Sequence, residues 1–92
     1  MINREENPEF LNSFLNYSIT ILNKSQNSVK EYNYDLNTFL KFIKIHFHLT
    51  KETDLKEVKI DDLSIDTIKK ITLDDIHAFL AYLTNEFHSK AA

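Results

Sequence analysis

The 92-residue chain contains no glycine. Average usage of roughly 7% would supply about six, so this absence constrains the fold strongly. Glycine-rich phosphate loops, nucleophile elbows and tight two-residue hairpins all depend on glycine. The sequence therefore argues against nucleotide-binding enzymes and β-hairpin architectures. It favours helices joined by turns that use Asn, Ser and Thr.

The composition predicts one globular domain. The chain is 42% hydrophobic and 27% charged, which separates it from disordered tails. No apolar run approaches the roughly 18–20 residues that span a bilayer, and no signal peptide is visible. We expect no membrane contact and a cytoplasmic location.

The side chains that carry most catalytic and metal chemistry are missing or badly spaced. Without cysteine there is no disulfide and no thiolate ligand. His46 and His48 are two residues apart and would point about 200° apart on a helix. Asp61–Asp62 and Asp74–Asp75 are adjacent pairs, not facing ones. We expect no metal site, no cofactor, no small-molecule ligand and no catalytic residue.

Capping residues and apolar periodicity predict three main helices. The first spans Pro8–Leu22 after an Asn7 cap, and Asn23 follows it where a helix-ending glycine is usual. The second spans Gln26–Phe47 after a Ser25 cap, although Ser28 and Glu31 offer an alternative capping box.

The third main helix spans Leu73–Phe87 and starts with a capping box of Thr72 and Asp75. We predict that residues 49–71 form a long connection with a short helical turn after Ser64. A strand at Val58–Ile60 is an alternative. The fold class is all-α: a compact bundle of three main helices plus a short helical turn. We divide the chain into a flexible N-terminus (1–7), the domain (8–88) and a truncated end (89–92).

The second helix separates its basic residues from its apolar ones. At about 100° per residue, one arc of about 80° contains no acidic residue. That arc holds Lys30, Tyr34, Asn37, Lys41, Lys44 and His48. Such a face is typical of any solvated surface helix, but it also suits a surface that binds phosphates.

The stretch "KSQNSVKEYNYDLNTFLKFI" (24–43) resembles the opening motif of the N-terminal core-binding domain of tyrosine recombinases, the phage-integrase and Xer-like family. The matching positions are Ser25, Asn27, Tyr32, Asp35, Leu36, Phe39 and Phe42, with Ser28 in place of the usual Thr. "FLNSFLNYSITILN" and "ITLDDIHAFLAYLTNEF" are similar to the family's first and third helices. The resemblance covers residues 8–88.

The resemblance implies a SAM-like domain that grips duplex DNA at a recombination site, together with other recombinase protomers. The family's fourth helix and its catalytic domain are absent from these 92 residues, so the chain itself would not be an enzyme. Tyr34 stands where the family has an Arg that commonly faces DNA. The implied DNA-binding residues are Lys24, Ser25, Asn27, Ser28, Lys30, Tyr34, Asn37, Lys41 and Lys44.

A function other than DNA binding is also compatible with the sequence. The formal net charge of -3 counts against nucleic-acid binding by the whole chain. A small helical protein–protein interaction module with no nucleic-acid role is the alternative prediction.

Overall fold

The predicted all-α class is confirmed by a computed structural model that describes residues 5–91, with side chains described through residue 86. Its elements are α1 (Glu9–Thr20), α2 (Gln26–His46), a 3-10 turn (Leu55–Glu57), α3 (Ile65–Lys69) and α4 (Leu73–Ala91). No strand occurs within residues 5–91, so the open alternative of a strand at Val58–Ile60 is wrong. Helix α4 extends past the predicted end at Phe87. Residues 1–4 of the predicted flexible N-terminus and residue 92 lie outside the described residues.

The reversal between α1 and α2 depends on one asparagine. Asn23 has a φ of 53°, the left-handed conformation that Asn tolerates better than most residues. The turn is closed by backbone bonds from Leu22 N to Tyr17 O (3.2 Å) and from Lys24 N to Ser18 O (2.9 Å). The prediction that Asn23 replaces a helix-ending glycine is confirmed.

The start of α1 differs from the prediction. Pro8 is the N-cap residue and makes no side-chain capping bond, so the predicted Asn7 cap is wrong. Asn7 is instead buried, and its Nδ2 donates to Asn33 Oδ1 at 2.7 Å and to Asn12 Oδ1 at 3.0 Å. A buried amide must satisfy its donors, and α2 supplies acceptors that a helix start does not.

The core draws on the irregular connection as well as on the helices. Its buried hydrophobic cluster consists of Leu11, Leu15, Val29, Leu40, Val58, Ile60 and Leu63. The last three come from the segment that the sequence predicts as a connection, which therefore crosses the core against α1 and α2. Ser64 precedes α3 at the predicted position of the short helical turn.

Helix α4 joins α2 through aromatic rings. The ring of Phe79 lies 5.0 Å from that of Phe39, and Tyr82 lies 5.4 Å from Phe42 between centroids. These contacts leave other apolar side chains of α4 in solvent. The exposed members are Leu73 (66% exposed), Ile76 (40%) and Leu80 (53%). Among residues 5–91, no helix is long and apolar enough to cross a membrane.

Candidate nucleic-acid interface

The first turn of α2 is held by a serine pair. Ser25 is the N-cap, and its Oγ accepts a hydrogen bond from the Ser28 backbone N–H at 3.1 Å. The Ser25 hydroxyl also donates to the Ser28 hydroxyl at 3.1 Å. The predicted Ser25 cap is confirmed, and the alternative box of Ser28 with Glu31 is not the one used. The other amides of this first turn lie at the positive end of the helix dipole.

Side chains around this turn point into solvent. Lys24, Asn27 and Lys30 are exposed, and Ser28 is half-buried. We call the group Lys24, Ser25, Asn27, Ser28 and Lys30 the α2 amino-terminal surface. It brings two ammonium groups, an amide and two hydroxyls to one end of a helix, which is a chemistry suited to phosphate oxygens.

Tyr34 extends this surface along the helix. It is 73% exposed and lies four residues, about one turn, after Lys30. Its backbone carbonyl accepts a bond from the Thr38 hydroxyl at 3.0 Å, while its phenol ring faces solvent. The phenol hydroxyl is able to donate to a phosphate oxygen, although a neutral hydroxyl makes a weaker bond to phosphate than a charged guanidinium does.

Asn37 is committed to the interior of the fold. Its Nδ2 donates to Asn7 Oδ1 at 3.0 Å and to the Asn33 carbonyl at 2.8 Å. These bonds attach the segment before α1 to the middle of α2. The Asn37 amide nitrogen is therefore already hydrogen-bonded within the fold, and a contact of Asn37 with DNA stays a prediction.

Lys41 faces a groove that also contains carboxylates. Asp35 on α2, Asp54 before the 3-10 turn and Glu86 on α4 line the same groove. The predicted basic arc is free of acidic residues on α2 itself, but the fold brings two carboxylates to it from other elements. A helical wheel cannot show these neighbours, because they come from 13 and 45 residues further along the chain.

Lys44 is buried, and this contradicts its predicted place on an exposed basic face. Its side chain is 9% exposed, and its Nζ donates to Asp62 Oδ1 and to the Lys59 carbonyl, both at 2.6 Å. The hydrogen bond from Lys44, together with its charge, holds the pKa of Asp62 below its usual value against the opposing effect of burial. The physical reason is that residues 58–63 cross the end of α2 and cover this position.

A second contact between polar side chains joins the carboxyl-terminal end of α2 to α4. His46 Nε2 lies 3.1 Å from Asp75 Oδ1, and the His46 ring stacks on Phe42 with centroids 5.2 Å apart. Asp75 Oδ2 accepts from the Thr72 backbone N–H at 2.8 Å, which confirms the predicted capping box. That N–H is the main reason why the pKa of Asp75 is lowered. His48 follows the helix end, with a φ of 59°.

One comparison with known proteins identifies a relative. The tyrosine recombinase XerC of Caldanaerobacter subterraneus subsp. tengcongensis is 38% identical to this chain over 80 residues. The chain is related to the tyrosine recombinases. The match covers 86% of this chain and confirms the resemblance that its three motifs indicate. No family profile and no solved structure matches the chain.

The chain spans only 23% of the length of its recombinase relative, which is consistent with an N-terminal fragment of a tyrosine recombinase. No cluster of three or more His, Cys, Asp or Glu side chains able to hold a metal occurs among the described residues.

The candidate interface consists of the α2 amino-terminal surface together with Tyr34. Asn37, Lys41 and Lys44 belong to the interior or to the acidic groove.

Proposed function

We propose that this domain grips duplex DNA at a recombination site as the N-terminal part of a site-specific tyrosine recombinase. Cleavage and rejoining of strands would belong to a catalytic domain outside these 92 residues. The parent recombinase would assemble with other protomers on the DNA and act in the cytoplasm. The observation that carries this proposal is the exposed α2 amino-terminal surface in a relative of XerC.

Phosphate attraction is the physical basis of the proposed grip. Lys24 and Lys30 flank a capped helix start, so their charges add to the partial positive charge of the first turn. Each phosphate that an ammonium neutralises releases counterions, and this makes binding weaker as salt rises. Asn27 is exposed beside them and has the amide that reads adenine edges in a major groove.

The proposed surface is shorter than the arc that the sequence predicts. Lys44 is paired with Asp62, and Lys41 shares its groove with three carboxylates that repel phosphate. Only the residues from Lys24 to Tyr34 remain. With about two or three phosphate contacts, log K should fall against log salt with a slope of about -2 to -3.

The test is fluorescence anisotropy of a labelled 25-base-pair duplex over a range of salt concentrations. The Lys24→Glu/Lys30→Glu variant should lose binding at low salt, and its circular dichroism spectrum should stay helical because both side chains are exposed. The matched control is Lys69→Glu/Lys70→Glu, an exposed pair at the end of α3 with the same change of net charge.

Three outcomes decide the proposal. Loss of binding in the first variant and retention in the second supports a local grip at α2. Equal losses in both variants would mean that net charge alone governs binding, and unchanged binding in the first variant would exclude this surface.

The alternative function is a helical protein–protein interaction module without a nucleic-acid role. Exposed apolar side chains favour it: Phe14 and Tyr17 on α1 are 42% and 48% exposed, and Ile21 at its C-cap is 66% exposed. In that case the duplex assay gives no salt-dependent binding, and sedimentation of a concentration series shows association of the domain instead.

A further inference from the structure

A groove runs between α2, the 3-10 turn and α4, and Tyr34 lies between this groove and the α2 amino-terminal surface. Its volume of about 860 Å³ lies within the range of about 300–1,000 Å³ that ligand pockets occupy. Its lining residues are Tyr34, Asp35, Thr38, Lys41, Asp54, Leu55, Lys56, Phe79, Tyr82, Leu83 and Glu86. Lys41 lies eleven residues, about 16 Å, along α2 from Lys30.

The half-buried rings of Phe79 and Tyr82 form part of the groove wall, and contacts with other aromatic rings fix their positions. Phe79 packs edge-on against Phe39 at 5.0 Å, and Phe42 contacts both Phe79 and Tyr82 with centroids 5.4 Å away. Because these rings hold one another, the groove is preformed, and a ligand loses little free energy in ordering it.

Carboxylates outnumber ammonium groups in the groove lining by three to two. Asp35, Asp54 and Glu86 are exposed at its edges, against the ammonium groups of Lys41 and Lys56. The ion pairs Lys44–Asp62 and His46–Asp75 lie outside the groove.

The field of two of these carboxylates reaches the groove wall. Burial raises the pKa of Tyr82 most, and the charges of Glu86 and Asp54 raise it further. Aromatic faces and carboxylates together attract a cation that has an apolar stem, as arginine and lysine do. The same arrangement repels phosphate, so DNA does not suit this groove.

We propose that this groove binds a basic, apolar segment of a partner polypeptide. An apolar side chain of the segment rests against Leu55, Phe79 and Leu83, and a neighbouring arginine or lysine lies between Tyr82 and the carboxylates of Asp54 and Glu86. Charge complementarity selects this occupant, since the groove lining carries three carboxylates and two ammonium groups. The inference does not depend on DNA binding by the α2 amino-terminal surface.

The test uses a blocked peptide of sequence Leu-Arg-Leu-Arg, titrated into ¹⁵N-labelled protein and followed by amide chemical shifts. We expect the largest shifts in residues 34–41, 54–56 and 79–86. A blocked Leu-Glu-Leu-Glu peptide should leave these amides in place. Shifts of equal size with both peptides would overturn the proposal, because the groove would then select only apolar side chains.

Isosteric variants test the role of charge. Asp54→Asn/Glu86→Gln should weaken binding of the arginine peptide by about threefold to tenfold, as expected for two exposed charge pairs. Asn keeps the oxygen that accepts from the Lys56 backbone N–H at 3.0 Å, so the 3-10 turn is preserved. Glu52→Gln/Glu57→Gln removes the same charge from exposed positions outside the groove and should not change affinity.

Removal of a groove cation should act in the opposite direction. Lys56→Gln should tighten binding of the arginine peptide, since it deletes a repelling ammonium group. Unchanged affinity in the Asp54→Asn/Glu86→Gln variant would overturn the proposal. The duplex assay on the same variant separates the two surfaces: DNA binding should be retained when peptide binding is weakened.

Discussion

Charge reversal at two lysines of α2 should separate a buried ammonium from an exposed one. Lys30 and Lys44 lie on the same arc of the helix, within about 40° of each other. Lys30 is exposed, whereas the Lys44 side chain is 9% exposed and bonded to Asp62 and to the Lys59 carbonyl. The same substitution at both positions therefore tests which of them faces solvent.

The magnitude follows from what Lys44→Glu leaves behind. Two hydrogen bonds from the ammonium group are lost, and a buried carboxylate is placed against Asp62 and a carbonyl oxygen. An uncompensated buried charge costs about 3–5 kcal/mol, a large part of a total stability of about 5–15 kcal/mol. Lys30→Glu should change stability by less than about 0.5 kcal/mol.

The assays are urea unfolding and a thermal melt, both at pH 7 and both followed by circular dichroism at 222 nm. For a domain of this size we expect Lys44→Glu to lower the thermal midpoint by more than about 12 °C. Because this variant risks not folding at all, Lys44→Met supplies a second measurement. Met keeps much of the apolar stem without a charge to desolvate, so its cost should stay within about 1 kcal/mol.

The reasoning fails if Lys44→Glu and Lys30→Glu unfold at the same urea concentration. That result would place the Lys44 ammonium in solvent and would restore the long basic face that the sequence predicts. A cost for Lys44→Met as large as that for Lys44→Glu would also contradict it, since the loss would then not depend on the introduced charge.

Three further predictions concern the ends and the core of the fold. Ser25→Ala should cost about 1 kcal/mol in urea unfolding through loss of the α2 cap, and Ser13→Ala on exposed α1 should cost clearly less. The pKa of Asp62 is lowered in the fold, so its contribution to stability is complete above an unfolded pKa of about 3.9 and is lost as pH falls through the lower folded value. An acid titration should therefore destabilise the parent more than Asp62→Asn, and Asp61→Asn should follow the parent. Ile60→Val should cost about 0.5–1.5 kcal/mol if the connection truly lies in the core, and equal stability of parent and variant would contradict that burial.

Local signals were sufficient to predict the helices. Ser25, Asn23 and the pair Thr72–Asp75 each act on a neighbour within a few residues, so a sequence pattern reveals them. The period of apolar residues along α2 likewise predicts Val29 and Leu40 as buried. These elements depend on short-range geometry that the sequence displays directly.

Long-range contacts explain what the sequence did not predict. Val58, Ile60 and Leu63 lie in an irregular stretch without helical or strand periodicity, yet they complete the core because the chain returns across α1 and α2. Periodicity shows which residues share a face but not what covers that face. Lys44 meets a partner 18 residues away, and Asn37 one that is 30 residues away.

The lysines on one arc of α2 have different surroundings, and this limits the strength of the proposed DNA grip. Asp62 neutralises Lys44, and the carboxylates of the groove reduce the positive potential at Lys41, so the positive charge of this arc is strongest where α2 begins. Since unpaired ammonium groups attract phosphate and paired ones do not, this domain by itself should hold few phosphates and bind DNA weakly. Strong binding would then require further contacts from the longer recombinase that we propose. The net charge of -3 does not exclude a DNA-binding role, because the first turn of α2 contains no acidic residue.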